Sequence, residues 1–307
     1  MDLIQTQHVL TAPDGGQVQV TRLASGQADT GRPPLVALAG MFCGHRFWLS
    51  PRQVGLAAYL ARQGFTCYLI DRRGIGPMRV QSKGRAGYDE LLTLDLPMVQ
   101  RWVQDQERRP AVWMGHSFGG VVLARAVAET LERDQVAGLV LFAAQCEQGL
   151  ASMRPPISYL LNGIAGVLGR FPSRRLGLGP DDEPRAAMED ACRWTRQAQR
   201  RSDFFDPLAL IRAPVLALAG AGDKSDPPEG CRQLVAHMVS AEVAFAILGR
   251  ASGFAEDYSH TGLVVSKAAQ REIWPRVVQW LDQAVQESAG HAADSVQDSD
   301  HTLTNGG

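Results

Sequence analysis

Residues Gly115-His116-Ser117-Phe118-Gly119-Gly120 leave this chain little freedom. They follow the apolar run Ala111-Val112-Trp113-Met114 and precede a helical pattern, Val121-Val122-Leu123-Ala124-Arg125-Ala126-Val127. A strand must therefore turn directly into a helix, with Ser117 at the corner. A serine held between glycines at such a corner is a strained, exposed nucleophile. Gly115 and Gly119 stand where a Cβ is expected to meet the opposite limb of the turn. The helix that starts there aims its positive end at the corner, which favours nearby negative charge. In a chain with 31 glycines the Gly-x-Ser-x-Gly string alone is weak. Its weight comes from the strand before it, the helix after it and partners farther along.

The rest of the chain supplies a matching frame. Residues up to about 25 alternate apolar and polar around Asp14-Gly15-Gly16 and read as a hairpin. Short apolar strands are expected at Leu35 to Ala39, Phe65 to Ile70, Val112 to Met114, Val136 to Phe142, Val215 to Ala219 and Val243 to Leu248. Helices are expected between them: one from Ser50 as N-cap to Gly64, one over about Pro97 to Gln106, and a last one from Pro275. This alternation implies an α/β fold, a mostly parallel sheet covered by helices on both faces. Ligand sites in such sheets lie at the carboxyl ends of the strands, where Ser117 falls.

Between Glu147 and Phe205 the alternation stops, and no strand pattern appears. An apolar segment, Ile157 to Leu168, is followed by a glycine turn at Gly177-Leu178-Gly179 and a charged helical pattern, Glu183 to Arg201. We expect residues 147–205 to form a helical lid over the carboxyl edge of a core built from residues 1–146 and 206–287. Residues 288–307 lack apolar periodicity and read as a disordered tail.

Bulk composition narrows the function classes. A net charge of −1 gives no field that would recruit nucleic acid or an anionic membrane. No apolar run approaches the ~20 residues of a membrane span. The start, Met1 to His8, has no basic stretch or apolar h-region. Five scattered cysteines, with no Cys-x-x-Cys pair, fit a reducing compartment. The expectation is a soluble cytoplasmic protein acting on a small molecule, without nucleic-acid partner, metal or cofactor.

A serine hydroxyl needs an adjacent base, and histidine suits that task near neutral pH. The resulting imidazolium needs a carboxylate to orient and stabilise it. Asp223 follows the strand Val215 to Ala219 directly and is the expected acid. Asp226 is its rival, but Asp226-Pro227-Pro228-Glu229 reads as a helix start with Asp226 as N-cap. Glu147, past the preceding strand, is a lesser candidate. His260 lies in a loop between the last strand and the final helices, whereas His237 falls inside a helical pattern and His291 and His301 in the tail. Two backbone donors must hold the oxyanion. The Phe118 amide and the Met41 amide, in Ala39-Gly40-Met41-Phe42, are the candidates. Phe42 and Trp48 are candidates for the pocket wall.

From about Leu35 to Leu281 the chain resembles the α/β-hydrolase superfamily. Gly40 to Trp48 is similar to its His-Gly-x oxyanion loop, with Ala39 in place of the histidine. Asp71-Arg72-Arg73-Gly74-Ile75-Gly76 is similar to its Asp-x-Arg-Gly-x-Gly turn. Tyr88-Asp89-Glu90-Leu91 through Asp95-Leu96-Pro97, and Asp257-Tyr258-Ser259-His260, resemble acid lipases and polyhydroxyalkanoate-synthase-like hydrolases. The resemblance implies the chain order serine, acid, histidine, which Ser117, Asp223 and His260 keep. Ser117 stands where the synthases carry cysteine and where haloalkane dehalogenases and epoxide hydrolases carry aspartate, which argues against those chemistries. The expected function is a serine hydrolase that cleaves a carboxylic ester through an acyl-enzyme. The alternatives are an acyltransferase with the same triad and a binding protein that has lost the chemistry. The arginines at 170, 174, 175, 185, 193, 196, 200 and 201 read as a solvated face, with an anionic substrate as the other reading.

Overall fold

Strand β3, Leu35–Leu38, is buried at every position, so its alternating side chains need apolar cover on both sides. Leu35 and Ala37 enter one cluster with Trp48, Leu60, Met114 and Trp274. Val36 and Leu38 enter a second with Trp113, Val121, Leu139 and Trp194. These two clusters are the cores on either face of one sheet, as in an α/β fold. The computed structural model describes residues 2–26, 30–81, 83–148, 156–200 and 203–283.

The main sheet has eight strands. β1 (Leu3–Thr11) and β2 (Gln17–Ser25) form the expected hairpin, in register from Leu3 opposite Ser25 to Thr11 opposite Gln17. β2 also pairs antiparallel with β4 (Cys67–Asp71). The remaining pairs are parallel and join β4 to β3, β5 (Ala111–His116), β6 (Val136–Phe142), β9 (Val215–Gly220) and β10 (Val243–Leu248). β5 lies inside the sheet, so the corner after it opens at the middle of the carboxyl edge. Arg73 ties the hairpin turn to the helical layer. Its guanidinium donates to Asp14 at 2.6 Å and to the buried Asp95 at 2.8 Å.

Residues between β6 and β9 form the helices Ile157–Leu168 and Arg185–Gln199. A two-stranded ribbon, β7 (Arg170–Phe171) with β8 (Glu183–Pro184), lies between the helices. This ribbon was not expected: two-residue strands are too short to show a period. Two helix starts also differ from expectation. The helix after β3 runs Leu56–Arg62 behind Gly55 rather than from Ser50. Ser50 instead closes a turn, accepting from the Val54 amide at 3.2 Å. The helix after β9 runs Pro228–Ala236 behind Pro227, so Asp226 does not cap it. Residues 288–307, the expected tail, lie outside the described residues. No helix among the described residues is long and apolar enough to cross a membrane.

Close backbone approaches hold the edge together at β3 and β5. A Cβ on Gly115 would overlap Gly120, across the turn as expected. One on Gly119 would overlap the Ala39 carbonyl, so the helix start is pressed against the exit of β3 rather than against its own turn. In an isolated helix Gly→Ala gains about 1 kcal/mol. Here the overlap is with backbone that cannot swing aside. Gly119→Ala should therefore lower the unfolding free energy by about 1–3 kcal/mol, read as an earlier midpoint in urea. An unchanged or later midpoint would refute the packing argument.

Candidate functional site

Ser117 stands at the corner with φ 54° and ψ −134°, in the left-handed region that costs a side-chain-bearing residue about 1–3 kcal/mol. Its amide donates to the Phe142 carbonyl at 2.9 Å, and its carbonyl accepts from Gly120 at 2.9 Å. These bonds hold the strained corner. The Phe118 amide is the first of the helix Phe118–Glu129, and such amides have no intrahelical acceptor. Across from it, a Cβ on Gly40 would stand 2.9 Å from the Ser117 Cβ. The loop after β3 therefore passes directly over Ser117, and only glycine fits there.

The turn after β9 delivers two carboxylates. Asp223 has its side chain fully enclosed. Its Oδ1 accepts from the amides of Ser225 at 2.8 Å and Asp226 at 2.9 Å. Its Oδ2 lies 2.8 Å from His260 Nδ1. That contact puts the Nδ1 proton toward the carboxylate and leaves Nε2 as the basic nitrogen. Two glycines make room for the histidine loop. Gly222 donates to the Tyr258 carbonyl at 3.0 Å, and a Cβ on it would stand 2.6 Å from the Asp257 carbonyl oxygen.

Asp226 turns inward. Its Oδ2 accepts from the Ser117 hydroxyl at 3.1 Å and lies 3.8 Å from His260 Nδ1, while its Oδ1 accepts from Gln145 Nε2 at 2.6 Å. Burial pushes its pKa up to about 6, against the opposing pull of His260 and Gln145. Sequence reasoning weighed Asp226 as the rival acid but assigned it to a helix cap, and it missed Gln145. The proline pair after Asp226 suggested a cap, and Gln145, three residues beyond the end of β6, carries no motif. Its signal was position alone: a polar residue at the carboxyl edge beside Glu147. Glu147 itself lines a different depression with Phe205, Gln233 and His237.

His260 is anchored from below. His116 Nε2 lies 2.9 Å from the His260 carbonyl, and the two rings are 4.6 Å apart. Phe47 stacks on the other side of His116 at 4.3 Å. Burial, with the nearby charge of His260, pulls the His116 pKa down to about 3. It is therefore neutral at pH 7, with its proton on Nε2, facing that carbonyl. For His260, burial acts to lower the pKa. The hydrogen bond to Asp223 and the charges of Asp226 and Asp223 outweigh it and hold the pKa above the ordinary value.

Met41 is half-buried and packs on both the main core and a small cluster of Ala165, Phe171 and Met188. Phe42 packs on that small cluster too, its ring 6.0 Å from Phe171. Trp48 is wholly enclosed, edge-on to Phe47 and Phe142, and offers no surface to a ligand. His237 instead stacks on Phe205 at 4.4 Å and lines the depression that holds Glu147. Several of the arginines after β6 are engaged: Arg170 with the Gly74 and Asp182 carbonyls, Arg185 with Glu189, and Arg193 with Asp89 and Asp190. Among the described residues no cluster of three or more His, Cys, Asp or Glu side chains is arranged to hold a metal ion. A cavity of about 590 Å³ lies behind the loop after β3, lined by His45, Asp71, Arg174 and Asp181, and it does not include Ser117 or His260.

Residues 46–204 match the family model described as serine aminopeptidase, S33. No curated protein matches the chain in sequence. Among solved structures, a monoacylglycerol lipase from Paleococcus ferrophilus is similar with a TM-score of 0.58 and 18% identity, covering 92% of this chain and 100% of its own. An esterase from Pyrococcus furiosus gives a TM-score of 0.62 at 16% identity over 92% of this chain and 91% of its own. An esterase from Exiguobacterium antarcticum gives 0.61 at 18% identity over 89% and 98%. At these identities the likeness concerns the fold.

The charge on Asp226 gives a direct electrostatic test. Asp226→Asn removes one anion beside His260 and should lower the midpoint of its imidazole titration by about one pH unit, followed by ring-proton NMR. An unchanged or higher midpoint would mean that the Asp226 charge does not reach the ring.

Proposed function

The chain belongs to the α/β-hydrolase superfamily, and from its site we propose that it is a serine hydrolase that cleaves a carboxylic ester through an acyl-enzyme. The observation that carries the reading is the contact of His260 Nδ1 with the enclosed Asp223 at 2.8 Å, at the same sheet edge as the strained Ser117. The approach of both Ser117 and His260 to Asp226 Oδ2, at 3.1 and 3.8 Å, supports assigning to these side chains, from separate parts of the chain, the roles that acyl transfer needs.

Ser117 attacks the ester carbonyl while His260 Nε2 takes its proton, and Asp223 stabilises the imidazolium. The hydroxyl faces Asp226 at 3.1 Å, so attack requires a turn of the Ser117 side chain toward Nε2. The Phe118 and Met41 amides hold the oxyanion. Gly40 supports the second assignment, because it brings that loop over the nucleophile. The imidazolium returns its proton to the departing alkoxide, and water then releases the acid by the same steps. We assign residues 147–205 as a cap over this edge, with Phe42 on the pocket wall. The names of the neighbouring structures, esterases and a lipase, agree with an ester as the scissile group.

A fluorophosphonate probe should label the wild type, and Ser117→Ala should lose labelling with its fold intact. Turnover of p-nitrophenyl esters should fall by about 10³-fold or more in Ser117→Ala and in His260→Ala. A folded wild type that resists the probe and turns over no ester in a series of increasing acyl length would overturn the reading. Alcohol or thiol acceptors that divert the acyl group in preference to water would identify a transferase instead.

A further inference from the structure

Phe42 is a non-glycine residue with φ +63°, a conformation that persists only where its surroundings impose it. Both of its backbone groups are held by one short stretch of the segment between β6 and β9. The Phe42 amide donates to Glu183 Oε2 at 2.8 Å, and its carbonyl accepts from the Asp181 amide at 3.0 Å. Gly179 completes the contact, since a Cβ on it would stand 2.5 Å from the Phe42 Cβ and 2.8 Å from the Phe42 oxygen.

Glu183 is itself fixed. Its side chain is fully enclosed and paired with Arg72, whose guanidinium donates to Oε1 at 2.6 Å and to Oε2 at 2.9 Å. The Tyr88 hydroxyl lies 3.3 Å from Oε1. Arg72 and Tyr88 belong to the main body, so the carboxylate bridges the body and the loop after β3. The loop's own residues brace its far side: the His45 amide donates to Asp71 Oδ1 at 2.7 Å.

The Met41 amide lies between two pinned points. On one side Gly40 is pressed against Ser117. On the other, the Met41–Phe42 peptide plane is set by the bond from the Phe42 amide to Glu183. That amide is already committed, which leaves the Met41 amide as the loop's donor toward Ser117. We propose that Glu183 is a positioning residue for oxyanion stabilisation: through Phe42 it sets the Met41 amide, so the seating of the 179–183 stretch governs transition-state binding. The inference rests on the serine-hydrolase reading above and deepens it. It also gives a function to the absence of histidine at Ala39: the loop is braced from the inserted segment instead.

The test compares Glu183→Gln, Glu183→Ala and the double variant Arg72→Met with Glu183→Met. Glu183→Ala strands a buried guanidinium and risks unfolding. The double variant replaces the ion pair by apolar side chains of similar size, which cores generally tolerate, and removes the acceptor for the Phe42 amide together with the contact of the Tyr88 hydroxyl to Oε1. With the best p-nitrophenyl ester, the double variant and any folded Glu183→Ala should lose about 10- to 100-fold in kcat, with KM changed by less than about 3-fold. Inhibition by a trifluoromethyl ketone, whose adduct places an oxyanion at the same donors, should weaken in proportion to kcat/KM. Glu183→Gln keeps an amide oxygen and should recover most of the loss. A folded double variant with wild-type kcat and wild-type ketone affinity, and only a lower Tm, would overturn the proposal while leaving the serine-hydrolase reading intact. A wild type without probe labelling or ester turnover would overturn both.

Discussion

Backbone crowding at the middle of the sheet edge is the constraint on which the site depends. Gly40, Gly115 and Gly119 let the exit of β3 and the turn after β5 occupy a space that holds no side chain. The interlock keeps Ser117 strained and keeps the loop amides above it. Strain of about 1–3 kcal/mol is small beside the burial of two apolar cores, each with tens of enclosed side chains. The sheet can therefore hold a corner that an isolated peptide would relax.

Electrostatics is layered on that geometry. Asp223 spends its oxygens on two amides and one imidazole, which fixes the direction of His260. Asp226 has a hydroxyl, a glutamine amide and a more distant imidazole around it, and burial leaves it close to neutrality in weak acid. His116 sits next to both histidine and serine yet stays uncharged, because it is enclosed between Phe47 and the backbone. Three titratable groups within a few ångströms thus have separate places: Asp223 orients His260, Asp226 accepts from the Ser117 hydroxyl, and His116 props the loop.

The strand positions and the corner were legible in the sequence because each buried strand is a short apolar run and the turns after β3, β5 and β9 carry glycine. The contact of Asp223 with His260 was legible because one follows a strand and the other lies in a loop at the same edge. Asp226 was not, since a carboxylate before two prolines looks the same whether it caps a helix or turns inward. The helix after Ser50 failed for a similar reason: the serine, proline and glutamine serve a tight turn with Gln53 at φ +53°, and the helix waits for Gly55. Trp48 has the spacing of a pocket residue but is wholly enclosed. Glu183 carried no signal because its partners, Arg72 and Phe42, are more than a hundred residues away.

The crowding at Gly40 and Gly119 also decides where this molecule can change. Neither position admits even a methyl group without moving two strands together, so the Ser117 corner is close to a fixed casting. Phe42, by contrast, faces a segment that is held to the body by side-chain packing and by the carboxylates of Glu183 and Asp190 rather than by strand pairing with the main sheet. Alterations in the length or tilt of the helices between β6 and β9 would reach the Ser117 corner through Met41, Phe42 and Phe118, with the sheet left as it is.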